Sequence, residues 1–155
     1  MGVSLAGTIL IYAAFNLVAA LTSYPAGFLS DRMGRRNLLA LSLAIFALTY
    51  LGFGITRHVA AIACCFVLYG TYQGISRSVG KALAADLVPE SLRASGLGWY
   101  MATTGLVGLI ASVVAGQLWD RAGHAAVFLY GAGFAAVGII ALLGLVAADG
   151  RGHRA

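Results

Sequence analysis

Five stretches of this chain run for about 18 residues or more without a charged side chain, and no other feature restricts the fold as strongly. The hydrocarbon core of a bilayer is about 30 Å thick and a helix rises about 1.5 Å per residue, so each stretch can cross it. Strands of a membrane barrel would be shorter and would alternate in polarity. The sequence therefore predicts an all-α polytopic membrane protein of about five transmembrane helices. We place them at about 3–30, 37–56, 59–85, 95–119 and 124–148.

The composition excludes an ordinary soluble domain. Hydrophobic residues make up 61% of the 155 positions and charged residues 10%, whereas a soluble domain is roughly half apolar and a quarter charged. The 21 glycines fit a membrane protein because small residues let spanning helices approach one another closely. The lipid bilayer is therefore an expected partner of this chain.

The net charge of +5 follows the predicted loops and does not indicate a nucleic-acid partner. When the loops are assigned alternately to two sides, eight basic residues fall on one side: Arg32, Arg35, Arg36, Arg77, Lys81, Arg93, Arg151 and Arg154. Arg57 and Arg121 fall on the other side. Because basic loops stay in the cytoplasm, we expect a cytoplasmic C-terminus and an N-terminus outside. The expected location is a bacterial-type plasma (inner) membrane.

The nucleophilic and metal-ligating residues form no arrangement that indicates catalysis. Cys64 and Cys65 are adjacent within an apolar stretch, where free cysteines behave as small hydrophobic residues. His58, His124 and His153 lie at loop ends or in the tail, without the spacing that a metal ion needs. The sequence predicts no metal site and no cofactor, and it does not support an enzyme.

The connection between the first two stretches is short and carries one acid and three arginines. From Gly27 to Leu39 it resembles the cytoplasmic loop signature of major facilitator superfamily (MFS) transporters, G-x-L-a-D-R-x-G-R-R/K-x-x-L. Eight residues fall on this pattern: Gly27, Leu29, Asp31, Arg32, Gly34, Arg35, Arg36 and Leu39. The resemblance implies a transporter fold and a gating role for this loop.

Two interpretations of the loop stay open. The arginines could be no more than a positive-inside anchor, but an anchor needs neither Asp31 nor the glycines. Gly34 permits a tight turn or a positive φ, and Asp31 could accept backbone N–H groups at the start of a neighbouring helix. By the resemblance, that helix belongs to the other half of the transporter. The candidate gating residues are Gly27, Asp31, Arg32, Gly34, Arg35 and Arg36.

An internal repeat links the two ends of the chain. Residues 26–34 (AGFLSDRMG) reappear as residues 115–123 (AGQLWDRAG), with six of nine positions identical, and both copies end an apolar stretch. Three crossings separate the copies, so they are expected on opposite sides of the membrane. An inverted pair of three-helix units, part of an MFS six-helix bundle, would produce this pattern, although two coincidental Asp-Arg helix ends would also do so.

A second resemblance covers residues 69–77 and 85–98, which look like the tenth helix of an MFS transporter, its following loop and the start of the eleventh. On this alignment the whole chain, residues 1–155, is a partial C-terminal bundle of helices eight to twelve. Helices two to six of the N-terminal half are the alternative placement. We expect a fragment whose partner is the missing N-terminal half, while a small protein that begins at Met1 is the other interpretation.

Five polar or aromatic residues are candidates for contact with a small-molecule substrate: Asn16, Tyr69, Tyr72, Gln73 and Arg77. The last four recur at helical spacing on one face, and polar groups at membrane depth usually face protein or a water-filled cavity. The tenth helix lines the cavity in the resembled family. An aromatic belt, a helix–helix hydrogen bond or, for Arg77, extension to the interface would also explain them.

Together these features predict secondary transport of a small solute by alternating access, as part of a longer MFS transporter. The alternative is a non-transporting truncated membrane protein or a subunit whose helices only pack against a partner. No acidic residue lies at mid-membrane depth, so either proton coupling uses groups outside this chain or the transporter is a uniporter.

Overall fold

Five long α-helices make up almost all of residues 5–56 and 58–152, the part of the chain that the computed structural model describes. They are α1 (Leu5–Met33), α2 (Arg35–Ile55), α3 (Val59–Asp86), α4 (Arg93–Ala122) and α5 (His124–Gly152), with one 3-10 turn at Glu90–Leu92 before α4. Each contains a segment long and apolar enough to cross a membrane. The described residues contain no strand, so the predicted all-α membrane fold with five spanning helices is confirmed.

The connection between α1 and α2 is shorter than the sequence predicted. We expected the first helix to end at Ser30 and the second to begin at Asn37, whereas α1 continues to Met33 and α2 begins at Arg35. Charged residues can stay helical here because a helix can extend past the hydrocarbon core into water. Gly34 alone leaves the helix, with φ 86° and ψ 136°. Its N–H donates to the Ser30 carbonyl at 3.0 Å and so closes α1.

Helix α3 lies at the centre of the packing. It runs along both α1 and α2, which contact each other little, and α2 also packs along α5. Helix α4 contacts α3 and α5 less extensively, and none of its residues is buried in the described chain. The helices are therefore ordered α1, α3, α2, α5, with α4 at the periphery.

Two glycines four residues apart allow α3 to approach α1. A Cβ atom at Gly70 would lie 2.8 Å from the Phe15 carbonyl oxygen, and one at Gly74 would overlap the Ala19 carbonyl oxygen. The hydroxyl of Ser23 donates to the Gly74 carbonyl across the same interface, at 3.3 Å. Small residues at this spacing let helix backbones meet, which compensates for the weak hydrophobic drive between helices in lipid.

A buried cluster supports the end of this interface that carries the charged loop. Ala26 from α1, Leu38 from α2, and Ile75 and Val79 from α3 pack together, and the side chains of Leu38 and Val79 are fully buried. The loop centred on Gly34 therefore stands on three helices that are fixed against one another.

The two copies of the internal repeat have the same backbone geometry. Gly34 ends the first copy after α1, and Gly123 ends the second after α4, with φ 86° and φ 82° respectively. They are the two positive-φ residues of the described chain. Each is the single residue between consecutive helices, so α1–α2 and α4–α5 are equivalent helix pairs.

Candidate gate and solute-binding residues

Arg35 lies at the centre of the charged residues around Gly34. Its Nε lies 2.6 Å from Oδ2 of Asp86, the last residue of α3, and one of its terminal nitrogens lies 3.8 Å from Oδ1 of Asp31. One guanidinium group therefore connects the end of α1, the start of α2 and the end of α3. Its side chain is 28% exposed, whereas that of Asp31 is 68% exposed.

The positions of Arg35 and Asp86 explain why they pair. Arg35 occupies the first turn of α2 and Asp86 the last turn of α3. The helix dipole disfavours a cation at an N-terminus and an anion at a C-terminus. An ion pair between them offsets both unfavourable positions, and Asp31 adds a second carboxylate near the same cation.

The other predicted gating residues surround this pair. The Arg32 guanidinium lies over the Phe28 ring, 4.5 Å from its centroid, in a cation–π contact. Arg36 is partly buried in the first turn of α2. Gly27 is helical, and among the described residues no atom beyond its chain neighbours and the adjacent backbone of α1 lies within 4 Å of the position that its Cβ would take. The six residues thus lie toward one end of the bundle, where Arg35 makes two ion pairs and Gly34 has a positive φ.

Tyr69 and Tyr72 take part in an aromatic cluster at the junction of α1, α2 and α3. The Tyr69 ring stacks on Phe15 with centroids 5.3 Å apart, and Tyr72 lies 4.7 Å from Phe46. Tyr50 lies 6.1 Å from Tyr69 by ring centroids. The structure therefore brings these two candidates together with three aromatic residues that the sequence argument did not select.

The remaining three candidates are not aromatic, and they take no part in the ring contacts of this cluster. Asn16 is exposed on α1 and donates through Nδ2 to the Tyr12 carbonyl of the same helix, at 2.8 Å. Gln73 is partly buried and Arg77 is exposed further along α3. The grouping of the five residues into one solute-binding site stays a prediction.

A cavity of about 580 Å³ lies between α2, α4 and α5, and apolar side chains form most of its wall. Its lining residues are Leu43, Phe46, Tyr50, Val107, Ile110, Ala111, Ser112, Ala115, Val127, Tyr130, Gly131, Phe134 and Ala135. Phe46 and Tyr50 therefore stand between this cavity and the tyrosines of α3.

Sequence reasoning missed Asp86, Phe46 and Tyr50. Asp86 ends the third helix, so alternation of the helices already placed it on the same side as the first connection. This alternation was the feature of the sequence that could have identified Asp86. Phe46 and Tyr50 offered no comparable signal, because aromatic residues are common in apolar helices and only packing selects these two.

Comparison with known proteins agrees with this architecture. The sequence model of the Major Facilitator Superfamily matches residues 1–154. The chain is 33% identical over 135 residues to the uncharacterized MFS-type transporter MJ1317 of Methanocaldococcus jannaschii, covering 87% of this chain and 34% of that protein.

Two Bacillus subtilis proteins are each 31% identical to this chain. The uncharacterized MFS-type transporter YfkF matches over 96 residues, which is 62% of this chain and 25% of YfkF. Multidrug resistance protein 2 matches over 99 residues, which is 63% of this chain and 25% of that protein. The chain thus spans between a quarter and about a third of the length of these relatives.

The match over nearly the whole chain and the five apolar helices lead to one conclusion. This chain is an integral membrane protein, and it belongs to the Major Facilitator Superfamily of transporters.

Proposed function

We propose that this chain is part of a secondary transporter that moves a small solute across the membrane by alternating access. The observation that carries the proposal is the charged network centred on Arg35, which ties three helices together at one end of the bundle. Alternating access needs contacts that hold one arrangement of helices and break in the other. A network at a helix end, partly exposed to solvent, can do so without disturbing the core.

In this proposal Asp31 is the side chain that engages the other half of the transporter. Arg35 and Asp86 fix the end of the loop, and Asp31, mostly exposed, remains available at the bundle surface. The dipole of a partner helix stabilises a carboxylate at its N-terminus by about 0.3–1 kcal/mol when the carboxylate is exposed and by about 2 kcal/mol when it is partly buried. A bias of about 1–2 kcal/mol corresponds to roughly 5- to 30-fold in conformer population, which is enough for a gate.

The solute would contact the side of α3 that carries Tyr69, Tyr72 and Gln73, with Asn16 and Arg77 at greater distance. The aromatic cluster supports this assignment, because aromatic faces together with hydroxyl groups bind solutes that combine apolar and polar parts. Gln73, one turn after Tyr69, adds an amide donor and acceptor.

The proposed orientation places Gly34 and the end of α3 in the cytoplasm of a bacterial-type cell, with the C-terminus also inside. The basic residues near these helix ends support it, since arginine and lysine are retained on the cytoplasmic side. The other half of the transporter would complete the second wall of the solute pathway.

Reconstitution of the complete transporter that contains this chain tests the proposal. A thermal-shift screen of small solutes selects candidates, and uptake of the best one into proteoliposomes is then measured. We expect saturable uptake by the complete protein, lower affinity in Tyr72→Phe, and unchanged affinity in Tyr24→Phe, whose ring is exposed on α1. If the complete protein takes up none of the solutes that stabilise it, the proposed transport of a small solute is overturned.

A further inference from the structure

The internal repeat places a histidine where the charged loop around Gly34 has an arginine. The acid, the glycine and the basic residue of the two copies correspond at a constant offset of 89 positions: Asp31 to Asp120, Gly34 to Gly123 and Arg35 to His124. Histidine ordinarily changes its charge between about pH 5 and pH 8, whereas arginine stays charged. The first copy therefore carries a permanent cation after its glycine, and the second carries a cation that depends on pH.

The two joints between helices are closed in the same way. Gly34 has φ 86° and ψ 136°, and Gly123 has φ 82° and ψ 175°. The N–H of each glycine donates at 3.0 Å to the carbonyl four residues earlier, which belongs to Ser30 in α1 and to Trp119 in α4. Each joint thus ends one helix and starts the next with a single extended residue of positive φ.

This geometry already supports an ion pair in the first copy. Across the joint at Gly34, the guanidinium of Arg35 lies 3.8 Å from the carboxylate of Asp31, four positions earlier. Asp120 and His124 have the same spacing across the second joint, and both residues are exposed. A charged imidazole at position 124 can therefore reach the carboxylate of Asp120 without a change in the backbone.

The remaining surroundings of His124 are aromatic and apolar. Its ring centroid lies 6.1 Å from that of Trp119, at the outer limit of a cation–π contact. His124 and Trp119 also line a cavity of about 500 Å³, whose other lining residues are Phe53, Thr56, Ile62, Phe66 and Phe128. Within the described chain this cavity brings no carboxylate to the imidazole, so Asp120 is the acid placed to meet it.

Few other residues near this joint can carry a charge between about pH 5 and pH 8. In the described chain α2 brings none to this end of the bundle, α3 brings His58 at its start, and α4 brings Arg121 beside Asp120. Arg57 is near in sequence but lies outside the described residues. The dipole of α5 disfavours a cation at its first residue, His124. An ion pair with Asp120 opposes that cost.

We propose that His124 and Asp120 form a pH-dependent ion pair across the joint between α4 and α5, present when His124 is charged and absent when it is neutral. Aspartate is ordinarily ionised throughout this pH range, so the charge of the histidine decides whether the pair forms. The pair stabilises the joint at low pH, and its contribution is lost as the pH rises through the range in which histidine titrates.

The chain thus has a permanent ion pair at the Gly34 joint and a pH-dependent one at the Gly123 joint, at opposite ends of the bundle. The pairing does not depend on transport. The proposed orientation enters only in the statement that the Gly123 joint faces the outside, where it would respond to external pH.

Double-mutant cycles on the 155-residue chain in detergent test the pair. His124→Gln and Asp120→Asn remove the two charges, singly and together, and equilibrium unfolding is measured at about pH 5.5 and at about pH 8. Both side chains are exposed, so the variants should fold. We expect a coupling of about two-fold in the unfolding equilibrium constant at the lower pH and none at the higher pH.

Two matched variants separate this pair from other effects of pH. His124→Arg copies the first joint, and its coupling with Asp120 should be equal at both pH values. His58→Gln removes the histidine at the same end of the bundle and should leave the cycle unchanged. A coupling between His124 and Asp120 that is absent at both pH values, or equal at both, overturns the proposal. A cycle in which Asp120 couples to Arg121→Gln and not to His124→Gln also overturns it.

Discussion

Arg35 Nε and Asp86 Oδ2 lie 2.6 Å apart and join the start of α2 to the end of α3. Both side chains are partly exposed, at 28% and 47%. Water therefore screens the ion pair, and the contribution of the pair to the free energy of unfolding should be small, on the order of 0.2–1 kcal/mol. The ion pair nevertheless joins α2 directly to α3 at the end of the bundle where we propose the gate.

A double-mutant cycle on Arg35→Gln and Asp86→Asn measures this link. We expect a coupling of about 0.5–1 kcal/mol in thermal unfolding in detergent. Glu90 and Arg93, 3.3 Å apart on the exposed turn before α4, form the reference pair. Their coupling should be smaller, because the Glu90 side chain is 85% exposed. A coupling below that of the reference pair would remove Asp86 from the network.

Asp31→Asn in the complete transporter should reduce uptake strongly at matched membrane abundance. Asparagine keeps the shape of aspartate but loses the charge that a partner helix N-terminus favours. The folded chain should tolerate the change because the side chain is 68% exposed. Initial uptake rate in proteoliposomes is the measurement, with Glu90→Gln as a charge-matched control. Normal rates in Asp31→Asn would reduce the loop to an anchor.

Gly34→Ala should destabilise the chain by about 1–2 kcal/mol through backbone strain alone. Among the described residues, and apart from the chain neighbours of Gly34, the added methyl would have one atom within 4 Å, Asn37 Nδ2 at 3.8 Å, so crowding is not the cause. Gly98→Ala provides the contrast, because Gly98 is helical and its surroundings are open. There we expect unchanged or higher stability, by up to about 1 kcal/mol. Thermal unfolding of both variants in detergent compares the two effects, and equal midpoints would contradict the positive φ.

Gly74→Ala should separate α3 from α1, because the added methyl would overlap the Ala19 carbonyl oxygen. Overpacking of this kind costs about 1–3 kcal/mol. The expected result is a lower unfolding temperature and faster proteolysis at the α1 end. Gly133→Ala on α5 adds the same methyl where the described part of the other helices places no atom within 4 Å, and it should behave as the wild type. If both variants match the wild type, the two helices do not meet closely at Gly74.

Membrane orientation can be read from the two ends of α3. In a Cys64→Ser/Cys65→Ser background, His58→Cys and Glu90→Cys place single thiols on exposed residues near opposite helix ends. The positive-inside distribution predicts that an impermeant maleimide labels position 58 from outside and position 90 only after permeabilisation. Labelling of both thiols in intact cells would contradict the assigned topology.

The helix count could be predicted because lipid tolerates few charges, so uncharged stretches mark the spans. The residues at which α1 ends and α2 begins could not be predicted in this way. The charges of Asp31 and Arg36 do not stop a helix, and the helical backbone is interrupted at Gly34. Pairing of Arg35 with Asp86 depends on how α3 packs against α2, which no local pattern encodes. Helical spacing selected Tyr69 and Tyr72 as candidates, whereas their neighbours Phe46 and Tyr50 could be named only once α2 and α3 were placed side by side.

The single-residue joints at Gly34 and Gly123 have a consequence for how the chain enters a membrane. One residue advances the backbone by less than about 4 Å. The end of the first helix and the start of the second must therefore lie on the same side of the bilayer. Each pair can therefore insert only as a closed hairpin. Reversing the inserted α1–α2 hairpin would carry the charges of Asp31, Arg32, Arg35 and Arg36 across the hydrocarbon together, which is costly. The hairpin therefore keeps the direction in which it inserts.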